Sequence, residues 1–93
     1  MSLEQLTETV RSKVAGGGID ESVKFDLGDT GAIFVQGSTV TNDDADADCT
    51  ITMSPEDLSD MLAGELNPTA AFMGGKLKVD GDMSVAMKLG SIV

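Results

Sequence analysis

The sequence predicts one α+β domain over residues 1–93: a helix, three strands joined as hairpins, a fourth strand, two short helices, a fifth strand and a closing helix. Three observations lead there. Apolar residues alternate with polar ones in three separate segments and recur at helical spacing in others. Glycines and capping residues punctuate the boundaries between them. Ninety-three residues are enough for one hydrophobic core and too few for two, with about 5,000 Å² of surface expected to stay exposed.

Ser2 and Gln5 have the spacing of a capping box, and Leu3, Leu6, Val10 and Val14 then share one helical stripe. Gly16, Gly17 and Gly18 end that helix. In residues 22–27, Val23, Phe25 and Leu27 take one strand face and Lys24 and Asp26 the other. A tight turn over residues 28–31 leads to Ala32, Ile33, Phe34 and Val35, apolar on both faces as an interior strand is, and then to a short strand at residues 39–41. From residue 46 the period of two resumes, with Asp46, Asp48, Thr50 and Thr52 facing solvent and Ala47, Cys49, Ile51 and Met53 facing inward.

Ser54 followed by Pro55, Glu56 and Asp57 is a helix start, and Leu58, Met61 and Leu62 supply the buried stripe. Pro68 opens a shorter helix of Ala70, Ala71, Phe72 and Met73 that Gly74 and Gly75 stop. The last strand alternates over residues 76–80, and the helices before it are expected to provide the crossover of a mixed sheet. Asp82 then caps a final helix, residues 82–92, with little polar surface. Such a helix must be covered by the sheet or by a ligand, and Gly81 and Gly90 at its ends suggest a pivoting gate.

Composition removes many functions. A net charge of −10 disfavours nucleic acid and anionic lipid surfaces, and the absence of histidine excludes the Ser/His/Asp and Cys/His nucleophiles and the commonest metal ligand. One cysteine, Cys49, cannot form an internal disulfide and reads as a small core residue. With no basic, apolar leader and no run of about 20 apolar residues, the expected location is cytoplasmic. Asp29-Thr30-Gly31-Ala32 matches the start of an aspartic-protease signature but reads as an Asp-containing turn. Asp44, Asp46 and Asp48 have calcium-loop spacing, yet Cys49 replaces the required glycine and Pro55 the final carboxylate. Together with Asp43 they are expected to form a solvated acidic strip, with no metal site.

The apolar cluster is more informative. Met53, Met61, Met73, Met83 and Met87, with Leu62 and Phe72, fall in the second half of the chain. Methionine adapts to irregular space, so the cluster either fills a core or lines a ligand site.

The segments Ala47-Asp48-Cys49-Thr50-Ile51-Thr52-Met53, Gly64-Glu65-Leu66-Asn67-Pro68, Ala71-Phe72, Gly75-Lys76-Leu77-Lys78 and Gly81-Asp82-Met83, with Ala86-Met87-Lys88-Leu89, closely resemble the sterol carrier protein 2 domain, the nonspecific lipid-transfer family, from about residue 19 to 91. The resemblance implies a five-stranded, mostly antiparallel mixed sheet, helices on one face, and an apolar tunnel for a fatty acid, fatty acyl-CoA or sterol. It implies no catalytic residue and no cofactor. Asp82, Ser84 and Val85 depart from the family's usual Asn, Gly and Leu, Gly90 stands where a Gln is common, and Ser91-Ile92-Val93 does not resemble a peroxisomal tripeptide.

The expected ligand-lining residues are Phe25, Ile51, Met61, Phe72, Met73, Leu77, Val79, Met83 and Met87. The expected function is a non-catalytic carrier of a long-chain acyl or sterol-like ligand, with transient contact to a lipid-metabolising enzyme or a membrane. The alternative is an accessory module for an enzyme of lipid or quinone metabolism.

Overall fold

In the computed structural model, which describes residues 2–16 and 19–90, the elements follow in the order α1 (Leu3–Val14), β1 (Ile19–Asp26), β2 (Ala32–Gly37), β3 (Thr39–Thr41), β4 (Cys49–Thr52), α2 (Pro55–Leu62), α3 (Pro68–Met73), β5 (Lys78–Gly81) and α4 (Met83–Gly90). The expectations for Gly17, Gly18 and residues 91–93 fall outside the described residues. The strands form one mixed sheet ordered β3-β2-β1-β4-β5. β1 pairs antiparallel with β2 and parallel with β4, and the β2–β3 and β4–β5 pairs are antiparallel.

The alternation read from the sequence determines which side of the sheet is covered. Phe25 stands beside Ile33 and Ile51, and Ile51 beside Val79, so one row of inward side chains crosses four strands. A second row runs through Val40, Val35, Val23 and Cys49. Leu6, Val10 and Val14 of α1, Leu58, Met61 and Leu62 of α2, Ala71 of α3 and Val85 of α4 join these rows in a single core. Cys49 is fully buried within it, and burial, followed by the charges of Asp82 and Asp80, pushes its thiol pKa up.

The starts of α1 and α2 follow local chemistry. Ser2 Oγ accepts from the Gln5 amide at 3.2 Å while the Ser2 amide donates to Gln5 Oε1 at 2.9 Å. Ser54 Oγ accepts from the Asp57 amide at 3.1 Å, with Pro55 in the first turn. The total exposed surface, 5044 Å², matches the size-based expectation.

Three expectations need correction. The parallel pair β1 and β4 is linked by the β2–β3 hairpin and residues 42–48, whereas α2 and α3 join the antiparallel pair β4 and β5. Any connection that carries the chain past β1 can return it parallel, and here a hairpin and a loop do so. β4 begins at Cys49 and β5 at Lys78, later than the alternation suggests, because Asp48 is engaged with Ser22 and the Lys76 amide donates to Ala71 O at 2.8 Å.

The acidic strip is also more than a solvated face. Asp48 Oδ2 accepts from the Ser22 amide at 3.0 Å and from Ser22 Oγ at 3.3 Å, and the Asp48 amide donates back to Ser22 Oγ at 3.0 Å. Asp44 accepts from Lys24 Nζ at 2.8 Å, a hydrogen bond that raises the lysine pKa. These contacts tie residues 42–48 to the polar face of β1. Among the described residues, no group of three His, Cys, Asp or Glu side chains is placed to hold a metal ion.

Candidate functional site: an apolar cleft

The sheet's inner face is not covered evenly. At the β4–β5 end, α3 and α4 stand over Ile51, Leu77 and Val79 and leave a cleft of about 410 Å³. Ile51, Leu77 and Met61 form buried wall, being 3%, 8% and 3% exposed, whereas Phe72, Met83 and Met87 at 43%, 44% and 75% form an open rim. Among the described residues the space opens to solvent along this rim. α3 has six residues and buries Ala71 alone, so it borders the space without sealing it.

Seven of the nine expected lining residues border this cleft: Ile51, Met61, Phe72, Leu77, Val79, Met83 and Met87. The other two do not. Phe25 is fully buried in the middle of the sheet, and Met73 is 81% exposed and points away from the core. Parity placed Phe25 on the correct face but could not show that packed helices cover that part of it. Met73 shares a short apolar helix with Ala71 and Phe72, yet fewer than two turns cannot turn every side chain inward.

The cleft also includes Asn67, Pro68, Thr69 and Ala86, which an apolar search passes over. Asn67 had a local signal, since an Asn before Pro is a typical helix start. Its Oδ1 accepts from the amides of Thr69 at 2.9 Å and Ala70 at 3.2 Å, which fixes α3 at the polar end of the cleft. Among the described residues, eleven side chains line the cleft and none of them is ionisable. The described lining therefore offers apolar contact, an amide and a hydroxyl.

α4, the wall opposite β4, is held at its start by Asp82. Asp82 Oδ1 accepts from the Ser84 amide at 2.9 Å and Ser84 Oγ at 2.6 Å, and these bonds, the hydroxyl first, hold the Asp82 pKa below its ordinary value. A depressed carboxyl pKa stabilises the fold fully above about pH 4 and loses that contribution as pH falls through the folded-state value. Acidification below pH 4 is therefore expected to loosen the first turn of α4. Hydrogen exchange should show residues 84–86 losing protection before the core strands, and Asp82→Asn should flatten this response; a pH-independent α4 would contradict it.

Gly81, expected to be a free pivot for α4, is instead locked. Its φ is +114°, and a Cβ there would lie 2.4 Å from the Asp48 carbonyl oxygen. The Asp82 amide donates to the same oxygen at 3.2 Å. Glycine is required by close approach rather than for motion.

The model of the SCP-2 sterol transfer family matches residues 2–93. Sterol carrier protein 2 of Bos taurus is 52% identical over 54 residues, which cover 58% of this chain and 10% of that protein. The matched stretch is thus about a tenth of the curated relative's length. The crystal structure of sterol carrier protein 2 like 2 from Aedes aegypti superposes with a TM-score of 0.83 at 22% identity, covering 100% of this chain and 97% of that one. The solution structure of the same mosquito protein in palmitated form gives a TM-score of 0.73 at 20% identity, with coverage of 99% and 94%. Common topology and a family match along almost the whole length lead to one conclusion: the chain belongs to the SCP-2 sterol transfer family.

Proposed function

We propose that the chain is a non-catalytic carrier that holds one long-chain acyl or sterol-like lipid in the cleft between α3, α4 and strands β4 and β5. The observation that carries this reading is an apolar space of about 410 Å³ bordered, among the described residues, by no ionisable side chain. Family membership supports a lipid ligand, and the mosquito protein of the same fold, solved palmitated, supports an acyl chain in this architecture. Ile51, Leu77 and Val79 would form the floor, and Phe72, Met83 and Met87 would close over the chain. Contact with a lipid-metabolising enzyme or a membrane would serve loading and release.

About fourteen buried methylenes of a long acyl chain at about 0.8 kcal/mol each supply about 11 kcal/mol, which leaves about 7 kcal/mol after an immobilisation cost of about 4 kcal/mol, the scale of micromolar binding. Titration with a fluorescent fatty acid should therefore saturate at one ligand per chain in the micromolar range. Leu77→Asp should abolish saturation, since it places a carboxylate in the buried floor. Absence of saturable binding by the folded unmodified protein would sink the carrier reading.

A further inference from the structure

We infer that the outer edge of β5 is a self-association surface, on which a second copy of this chain pairs antiparallel about a two-fold axis at Val79. The sheet order leaves β3 and β5 at its edges. The β3 edge is short and closed, since β3 has three residues and Arg11 Nη2 of α1 donates to the Val40 carbonyl at 3.0 Å. β5 has no such cover. Among the described residues no strand lies beyond it, and Lys78, Asp80 and Gly81 are exposed.

Register and peptide geometry determine which groups that edge offers. The Asp82 amide donates to Asp48 O, so the Gly81 carbonyl, on the opposite side of the same trans peptide, points away from β4. Lys78 and Asp80 stand opposite Thr52 and Thr50 in the same register, and bonding to the neighbour alternates along an antiparallel strand. Val79 and Gly81 therefore turn both N–H and C=O outward. An edge of this kind is a template for another strand.

The side chains make that strand a copy of β5 itself. Pairing Val79 with Val79 of the partner subunit sets Lys78 opposite Asp80 of the partner subunit and Asp80 opposite Lys78 of the partner subunit. These are direct cross-strand pairs of opposite charge on the polar face of the sheet, and the two-fold axis supplies the pair twice. Shifting the register by two residues would oppose Lys78 to itself or Asp80 to itself, so charge selects the alignment centred on Val79. On the inner face, the row Phe25, Ile51 and Val79 runs on into Val79 of the partner subunit, which extends the apolar floor of the cleft. The net charge of −10 opposes association of two copies and keeps the dimer weak and reversible.

The test is sedimentation equilibrium of the lipid-free chain from about 10 µM to about 1 mM, in about 0.15 M salt to screen repulsion between acidic copies. Monomer should pass to dimer with no larger species, because the symmetric contact closes on itself. Hydrogen exchange at the Val79 and Gly81 amides should slow over the same range. Lys78→Glu should raise the dissociation constant at least about tenfold, as should Asp80→Lys, since each brings like charges together at both pairs. An equimolar mixture of the two variants restores opposite charges and should recover the pairing. Both side chains are exposed, so each variant should melt like the unmodified chain, which separates lost pairing from lost folding. The inference is overturned if the unmodified chain stays monomeric throughout, if Lys78→Glu dimerises as before, or if the mixture does not recover. Failure of the carrier reading is separate: it shows in the fatty-acid titration, made on dilute protein below the range of self-association.

Discussion

Gly81→Ala is expected to destabilise the protein by about 3 kcal/mol, lowering the melting temperature by about 15 °C for a domain this small. Two costs combine at this position. A φ of +114° is strained for any residue with a Cβ, and that Cβ would meet the Asp48 carbonyl oxygen at 2.4 Å and the Cys49 Cα at 3.1 Å, both backbone atoms that cannot swing aside. Relief requires β4 and β5 to separate where Cys49 and Gly81 are paired, which also stretches the Asp82 amide away from Asp48 O. Gly75→Ala is the control. Its φ is +78° with nothing within 4 Å of an added Cβ, so it should lose about 1 kcal/mol from backbone strain alone. Equal melting temperatures for the two variants would show that steric contact at Gly81 is not decisive.

The second large effect separates core from cleft. Phe25→Ala should cost about 3–5 kcal/mol, since it empties the largest fully buried side chain in the sheet's central strand. For a chain of 93 residues, whose total stability is about 5–14 kcal/mol, that is a large fraction. Phe72→Ala should leave stability within about 1 kcal/mol, because the ring is already 43% exposed, yet weaken fatty-acid binding about tenfold by removing one side of the cleft. Denaturant titration and fluorescent fatty-acid titration on both variants read the two quantities independently. Were Phe25→Ala to melt like the unmodified protein, or Phe72→Ala to bind with undiminished affinity, the division between filled core and open cleft would be wrong.

Much of this arrangement was legible before any coordinates. The caps at Ser2, Ser54 and Asp82 act through bonds spanning two or three residues, so their donors and acceptors can be read from spacing. The inward set Val23, Phe25, Cys49 and Ile51 follows from strand alternation, which depends on the backbone alone. Seven cleft residues were recognisable because they are apolar on elements that must share one sheet face.

Tertiary structure decided the rest. Asp48 faces outward as its parity requires, but the parallel pairing of β1 with β4 brings Ser22 within 3.0 Å and converts a solvated carboxylate into a tie between strands. Phe25 and Ile51 stand side by side on the same face, yet one lies under packed helices and the other at the floor of the cleft. Ala71, Phe72 and Met73 follow one another in a helix, and only their packing sends the first into the core, the second to the rim and the third into solvent. Periodicity assigns a side chain to a face because it is a property of one chain segment. What covers that face, and where the cover stops, depends on residues far away in sequence, so the cleft exists because α3 and α4 leave uncovered what β4 and β5 present.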